Sequence, residues 1–181
     1  MNSNVNKMIK TLKESINTYD LLKCNFEYSL DNFYYYIYNV NNEFILGLKE
    51  DDFIVDGFEI RKMENLLVVE LRDDGCVEIN KNNKILDNIQ KPNINLKSWF
   101  DIFNSLKNLY EIIIVECEEI DPVDSEFIIG KIIETNKEYI KFIGFDIYGN
   151  WYDEITTIYY DDITSVTFNS RYCNEWEKYL K

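Results

Sequence analysis

Residues 126–168 read as four strands in close succession, and a fainter copy of the same pattern lies upstream. Residues 126–133 (EFIIGKII) and 138–143 (EYIKFI) are β-branched and aromatic runs separated by the polar Asn136-Lys137, which is a hairpin signal. After a polar loop around Gly149-Asn150, residues 155–160 (ITTIYY) and 163–168 (ITSVTF) are two more strands, joined by the tight Asp161-Asp162 link. Residues 112–117 (IIIVEC) supply a fifth strand, entered directly from a helix. The unit is one helix and five short strands.

Upstream, Val5, Met8, Ile9, Leu12, Ile16 and Tyr19 fall at helical spacing and predict an amphipathic helix over residues 4–17. Residues 21–28, 33–40, 43–48, 57–62 and 66–71 then alternate or run apolar between Asn- and Asp-rich turns, as half-buried strands should. The count is again a helix and five strands. Residues 39–45 (NVNNEFI) lie over 134–140 (ETNKEYI), and residues 58–70 over the strand pair ending at Phe168 with a small gap, which reads as an internal duplication.

Between the copies, residues 73–80 read as one further strand, and the Asn, Lys and Pro content of residues 81–93 marks a linker. The expected division is a helix plus barrel over 1–80, a linker over 81–97, and a second helix, barrel and C-terminal helix over 98–181. Ser98, with Asp101 three positions on, resembles a capping box for a helix whose apolar face carries Trp99, Phe103, Leu106 and Tyr110. Ser170 caps a last helix over 171–180, which offers Tyr172, Cys173, Trp176 and Leu180 to the second barrel. With 46% hydrophobic and 15% aromatic residues, 181 residues are ample for packed cores.

A short helix leading into five bent antiparallel strands, the last two joined by a very short link, resembles the Sm-like (LSm) barrel. The resemblance covers residues 4–71 and 99–168. Gly130 sits in mid-strand, where that family places a glycine to let the second strand bend. It implies a mainly β, α+β fold of two tandem Sm-like five-stranded antiparallel barrels, each preceded by a helix, plus a C-terminal helix. RNA-binding members use an Asp and Asn pair after the second strand and an Arg-Gly before the fifth. Here those positions read Glu134-Thr135-Asn136-Lys137-Glu138 and Asp161-Asp162, so the RNA site is not carried over. The segment from Phe145 to Trp151 (FDIYGNW), with residues 160–166 (YDDITSV) and Arg171-Tyr172, is also similar to small uncharacterised bacterial proteins. Some of these accompany toxin genes in the manner of immunity proteins.

The chemistry open to the chain is narrow. There is no histidine, which removes the commonest general base and metal ligand. Cys24, Cys76, Cys117 and Cys173 are widely spaced, with no Cys-x-x-Cys pair, and read as reduced thiols. Neither G-x-G-x-x-G nor a Walker sequence occurs, and the acidic clusters lack the spacing of an EF-hand. No catalytic residue, cofactor or metal ligand is assigned, although a carboxylate-metal hydrolase remains the enzyme-class alternative.

Charge is more informative. Residues 111–168 hold three basic against fourteen acidic side chains, a net of −11 out of −14 for the chain. Such a field repels phosphate backbones and attracts a basic protein. Tyr148, Trp151 and Tyr152 lie beside Asp146, Asp153 and Glu154, and Asp161 and Asp162 follow; aromatic anchors among charges are what protein interfaces display. These eight residues are the expected partner-binding set. The loop from Glu50 to Asp56 has the same character around Phe53, and the competing reading is that Trp151 and Phe53 fold back to cap their barrels.

The expectation is therefore a non-enzymatic, cytoplasmic, bacterial-type protein that binds a basic partner such as a toxin or nuclease, without nucleic acid or membrane. A nucleic-acid mimic and a structural or homo-oligomer-forming module stand as alternatives, and solubility alone also explains the acidity.

Overall fold

The computed structural model describes residues 3–29, 31–121 and 123–181. Among the described residues the fold is mainly β with four α-helices, and the chain divides into two compact units, Met1–Pro92 and Asn93–Lys181. No helix among the described residues is long and apolar enough to cross a membrane.

The first unit opens with α1 (Ser3–Thr18) and continues through β1 (Leu21–Phe26), β2 (Phe33–Val40), β3 (Phe44–Asp51) and β4 (Ile54–Lys62). A 3₁₀ turn (Met63–Asn65) leads to β5 (Leu66–Leu71) and then to α2 (Gly75–Asn82). The sheet order is β5-β1-β2-β3-β4, with antiparallel neighbours throughout. The apolar stripe of α1 explains its place: Ile9 and Leu12 are buried, and Val5, Met8 and Ile16 pack on the same cluster, which Leu22, Phe26, Tyr35 and Ile37 supply from the sheet. Full burial of a side chain such as Leu12 stabilises by about 1.5–3 kcal/mol. Tyr19, the last of the predicted stripe, is instead exposed with φ 54°.

Residues 73–80 differ from the sequence expectation, forming a helix where a strand was read. Asp74 caps α2 by accepting the Cys76 N–H at 2.9 Å, and Asn80 is buried on the helix's inner side. The Asn80 amide donates to Glu50 Oε1 at 3.1 Å and to the Tyr36 hydroxyl at 3.3 Å. Arg72 completes the site, its guanidinium donating to Glu50 and Asp74 while lying 4.1 Å over the Tyr34 ring. A polar anchor of this kind leaves no hydrophobic period to read.

A second buried charge pair lies within the first core. Glu59 and Arg61 are 3% and 4% exposed; the Arg61 Nε donates to Glu59, and the Tyr35 hydroxyl donates to the same carboxylate at 2.7 Å. The Arg61 guanidinium stacks 4.3 Å over Phe33 and 4.6 Å over Phe26. Burial pushes the neighbouring Cys24 thiol up to about 12 and the Tyr35 phenol well above its ordinary value.

The second unit runs α3 (Trp99–Leu109), β6 (Ile113–Cys117), β7 (Glu126–Thr135), β8 (Tyr139–Gly144), β9 (Thr156–Tyr159), β10 (Ser165–Phe168) and α4 (Arg171–Glu177). Ser98 caps α3 by accepting the Asp101 N–H, as the capping box predicts, and Trp99, Ile102, Phe103 and Leu106 are buried. The sheet order, β10-β6-β7-β8-β9, repeats that of the first unit strand for strand.

The repetition extends to register. In the β2–β3 ladder Ile37 faces Gly47 and Asn39 faces Leu46, so the ladder skips Tyr38. In β7–β8, Ile132 faces Phe142 and Glu134 faces Lys141, so it skips Ile133, 95 positions on. The turns match too: the Asn41 N–H reaches the Phe44 carbonyl, and the Asn136 N–H that of Tyr139. Leu22 lies between Tyr35 and Leu71, and Ile113 between Gly130 and Phe168.

Room for the bend comes from different glycines. A Cβ on Gly130 would collide with the Ile143 carbonyl, whereas in the first unit Gly47 lies under the Tyr35 ring. Neither run of five strands closes on itself: among the described residues no ladder joins β4 to β5 or β9 to β10.

Two outcomes follow from the first core. Arg61→Leu leaves the Glu59 carboxylate buried without its countercharge, with only the Tyr35 hydroxyl bonded to it, and urea titration should register a loss of about 3–5 kcal/mol. The Cys24 thiol, buried and displaced to about 12, should resist a thiol reagent at neutral pH in the folded protein and react fully once unfolded.

Candidate functional site

The acidic, aromatic region of the second unit begins where β8 ends. Phe145 pairs with Trp151 across an isolated bridge, which closes residues 146–150 into a tight loop. Asp146 frames it: Oδ1 accepts the Tyr148 N–H at 2.8 Å and the Asn150 N–H at 2.9 Å, and the Asn150 side-chain amide donates to Oδ2 at 3.0 Å. These bonds, the Asn150 side chain foremost, hold the Asp146 carboxyl below the usual carboxylate range. Gly149 takes φ 77°, a conformation other residues rarely adopt, and its N–H bonds to the Asp146 carbonyl.

The eight residues singled out in the sequence separate into three kinds. Asp146 serves the loop itself. Trp151 is half-buried, edge-on to Phe145 at 5.7 Å, with the Lys131 ammonium 4.2 Å over its ring; it folds back on the core. Tyr148 and Tyr152 are exposed at 72% and 53%, and so are the carboxylates Asp153, Glu154, Asp161 and Asp162.

The acidic pairs lie at opposite ends of one strand. Asp153 and Glu154 precede β9, and Asp161 and Asp162 follow it; its four residues place about 13 Å of strand between them. In the first unit, Glu50 is buried beneath Arg72 and Asn80, while Phe53 stands at a two-residue hairpin tip where it and Asp52 both have positive φ.

Sequence reasoning assigned Tyr172 and Trp176 to packing and left Tyr179 unremarked. Ser170 caps α4 by accepting the Cys173 N–H at 3.2 Å, and Cys173 is buried against Ile112, Ile114 and Phe145. Trp176 lies on Phe145 at 5.0 Å between ring centres, whereas Tyr172 is half exposed and meets Trp176 edge-on at 6.4 Å. Tyr179, one turn on, is 70% exposed. Their spacing of four and three residues was the available signal, since it puts all three on one side of the helix expected over 171–180; α4 ends at Glu177, and Tyr179 follows in a turn whose N–H reaches the Trp176 carbonyl.

The loop and the helix end meet. The Lys181 N–H donates to the Gly149 carbonyl at 3.2 Å, and a Cβ on Gly149 would come within 2.8 Å of the Tyr179 carbonyl oxygen. Together they enclose an open pocket of about 500 Å³ walled by Tyr148, Tyr172, Trp176 and Tyr179. Ile147, Glu175 and Lys181 complete the lining. Glu175 also pairs with Lys178 at 2.7 Å, but both side chains are more than half exposed, so the pair contributes at most about 1 kcal/mol.

What this arrangement offers is binding chemistry: the negative faces of four rings beside carboxylates in a strongly acidic unit. Among the described residues no group of three or more Cys, Asp and Glu is placed to hold a metal ion. Compared with protein-family models, curated proteins and solved structures, the chain matches none.

Asp146 carries a depressed pKa, so its support of the loop is complete above the unfolded value of about 3.9 and is lost as pH falls through the lower folded value. Hydrogen exchange followed by NMR should show the Tyr148 and Asn150 amides opening in that window. At neutral pH, Asp146→Ala should speed both by about tenfold, the loss of one charge-assisted bond.

Proposed function

We propose that this chain is a non-enzymatic binding protein whose second unit meets a basic protein partner, in the manner of an immunity or antitoxin-type inhibitor acting in the bacterial cytoplasm. The observation that carries the reading is the concentration of charge. The second unit bears seventeen acidic and eight basic side chains, a net of −9, while the first bears −5 and turns several charges inward. Exposed aromatics stand among the outward carboxylates, so association would be steered by charge and held by rings. Inhibition is then coverage of a basic surface, with no chemistry and no cofactor. Direct nucleic-acid binding does not fit such a field.

We further read both units as Sm-like. In support, each follows a helix with five antiparallel strands in the order fifth, first, second, third, fourth, with the same skipped residue in the second strand.

A second reading, a homo-oligomer-forming module, is favoured by one observation. Among the described residues of its unit β5 pairs only with β1, and Leu67, Val68 and Leu71 on it are 53%, 39% and 57% exposed. Sedimentation across a wide concentration range separates the two, since a monomer throughout removes this second reading.

The main reading is tested by replacing Asp153, Glu154, Asp161 and Asp162 together with Lys and comparing proteins retained from the native lysate at low and moderate salt. The original chain should retain a basic protein that is released as salt rises. The reversed chain should fold, by circular dichroism, yet retain none. Equal retention by both overturns the proposal.

A further inference from the structure

We infer that the pocket between the 146–150 loop and α4 receives an arginine side chain of the basic partner; this rests on the function proposed above. The rings of this chain are habitual cation acceptors. Arg61 stacks on Phe26 and Phe33, Arg72 on Tyr34, and Lys131 on Trp151. The last of these belongs to the same aromatic column as the pocket: Trp151 meets Phe145 at 5.7 Å, Phe145 meets Trp176 at 5.0 Å, and Trp176 meets Tyr172 at 6.4 Å. At the inner end of that column a cation of the chain covers the ring. At the pocket end, among the described residues, none stands over Tyr148, Tyr172, Trp176 or Tyr179.

The pocket chemistry selects a guanidinium. Tyr172 and Trp176 are inclined at 80°, so a planar cation lying along one ring meets the edge of the other. Glu175, whose Oε1 already accepts from Lys178, adds a carboxylate that can take a further N–H donor, and the apolar walls suit the three-carbon stem. The nearby ammonium groups do not bar entry. Lys178 pairs with Glu175, and Lys181 stands close enough to Asp146 to favour its charged form. Local charge is thus nearly balanced, while the unit as a whole is at −9, which draws a cation in. A guanidinium is also weakly hydrated, so it enters such a site more readily than an ammonium.

The test is NMR titration of the full chain with a short Arg-Gly peptide and its lysine and citrulline counterparts, citrulline keeping the plane and losing the charge. The arginine peptide should shift the Trp176 indole N–H and bind about tenfold more tightly than the citrulline peptide. Tyr172→Leu, Tyr179→Leu and Glu175→Gln, all at exposed positions, should each weaken it by about three- to fivefold. Asp161→Lys with Asp162→Lys, beyond β9, should weaken the arginine and lysine peptides equally and leave their ratio unchanged.

If basic peptides bind in a salt-dependent way but citrulline binds as well as arginine, or the Tyr172 and Tyr179 variants bind as well as the original, the pocket assignment falls and the charged-surface reading survives. If no basic peptide binds at any salt concentration, both fall.

Discussion

Each half of this molecule depends on one residue that its ladder skips, Tyr38 in β2 and Ile133 in β7. An extra residue on one strand increases local twist and bends it, letting a five-stranded sheet curve over a helix rather than lie flat. The burial pattern of β2 records the consequence, because Tyr35, Tyr36, Ile37 and Tyr38 are all buried. A regular strand would have alternated. The close backbone approach at Gly130 serves the same bend in the second unit, as does Gly47 beneath Tyr35 in the first.

On this shared frame the two units treat charge in opposite ways. The first takes Glu50, Glu59 and Arg61 out of water and satisfies them with Arg72, Asn80, Tyr35 and aromatic faces. The second keeps most of its carboxylates in solvent around exposed tyrosines. Buried pairs of this kind are costly to break and contribute little net stability, so they specify how α2 and β4 sit more than how firmly.

Elements with a strong period were legible in the sequence, and so was their repetition: α1, the hairpins, the Ser98 and Ser170 caps and the match of residues 39–45 with 134–140 all reappear in the fold. What failed had no period to read. Residues 73–80 carry too few apolar positions to separate strand from helix, and a cap at Asp74 with a polar anchor at Asn80 decided the matter. Glu59 and Arg61 alternate with Phe58 and Ile60 and read as an outward face, yet β4 is buried on both sides there. The candidate site was half legible. Its loop was marked by composition, but its other wall comes from α4, which begins at Arg171, and only tertiary contact joins Tyr148 to Tyr172 and Trp176. Composition likewise could not reveal that Asp146 serves its own loop, or that β9 holds the acidic pairs apart.

Gly149 ties these two walls into one mechanical part. Its left-handed turn and missing side chain bring the loop backbone against the Tyr179 carbonyl, and the Lys181 amide closes the contact from the other side. The aperture between Tyr148 and the rings facing it is therefore set by main-chain atoms, while Trp176 is held in its wall by the tilted contact with Phe145. Swings of the exposed tyrosines change what lines the opening without changing its gauge. Loop and helix can part only by breaking a backbone hydrogen bond, so the cleft behaves as a jaw of fixed span with adjustable teeth.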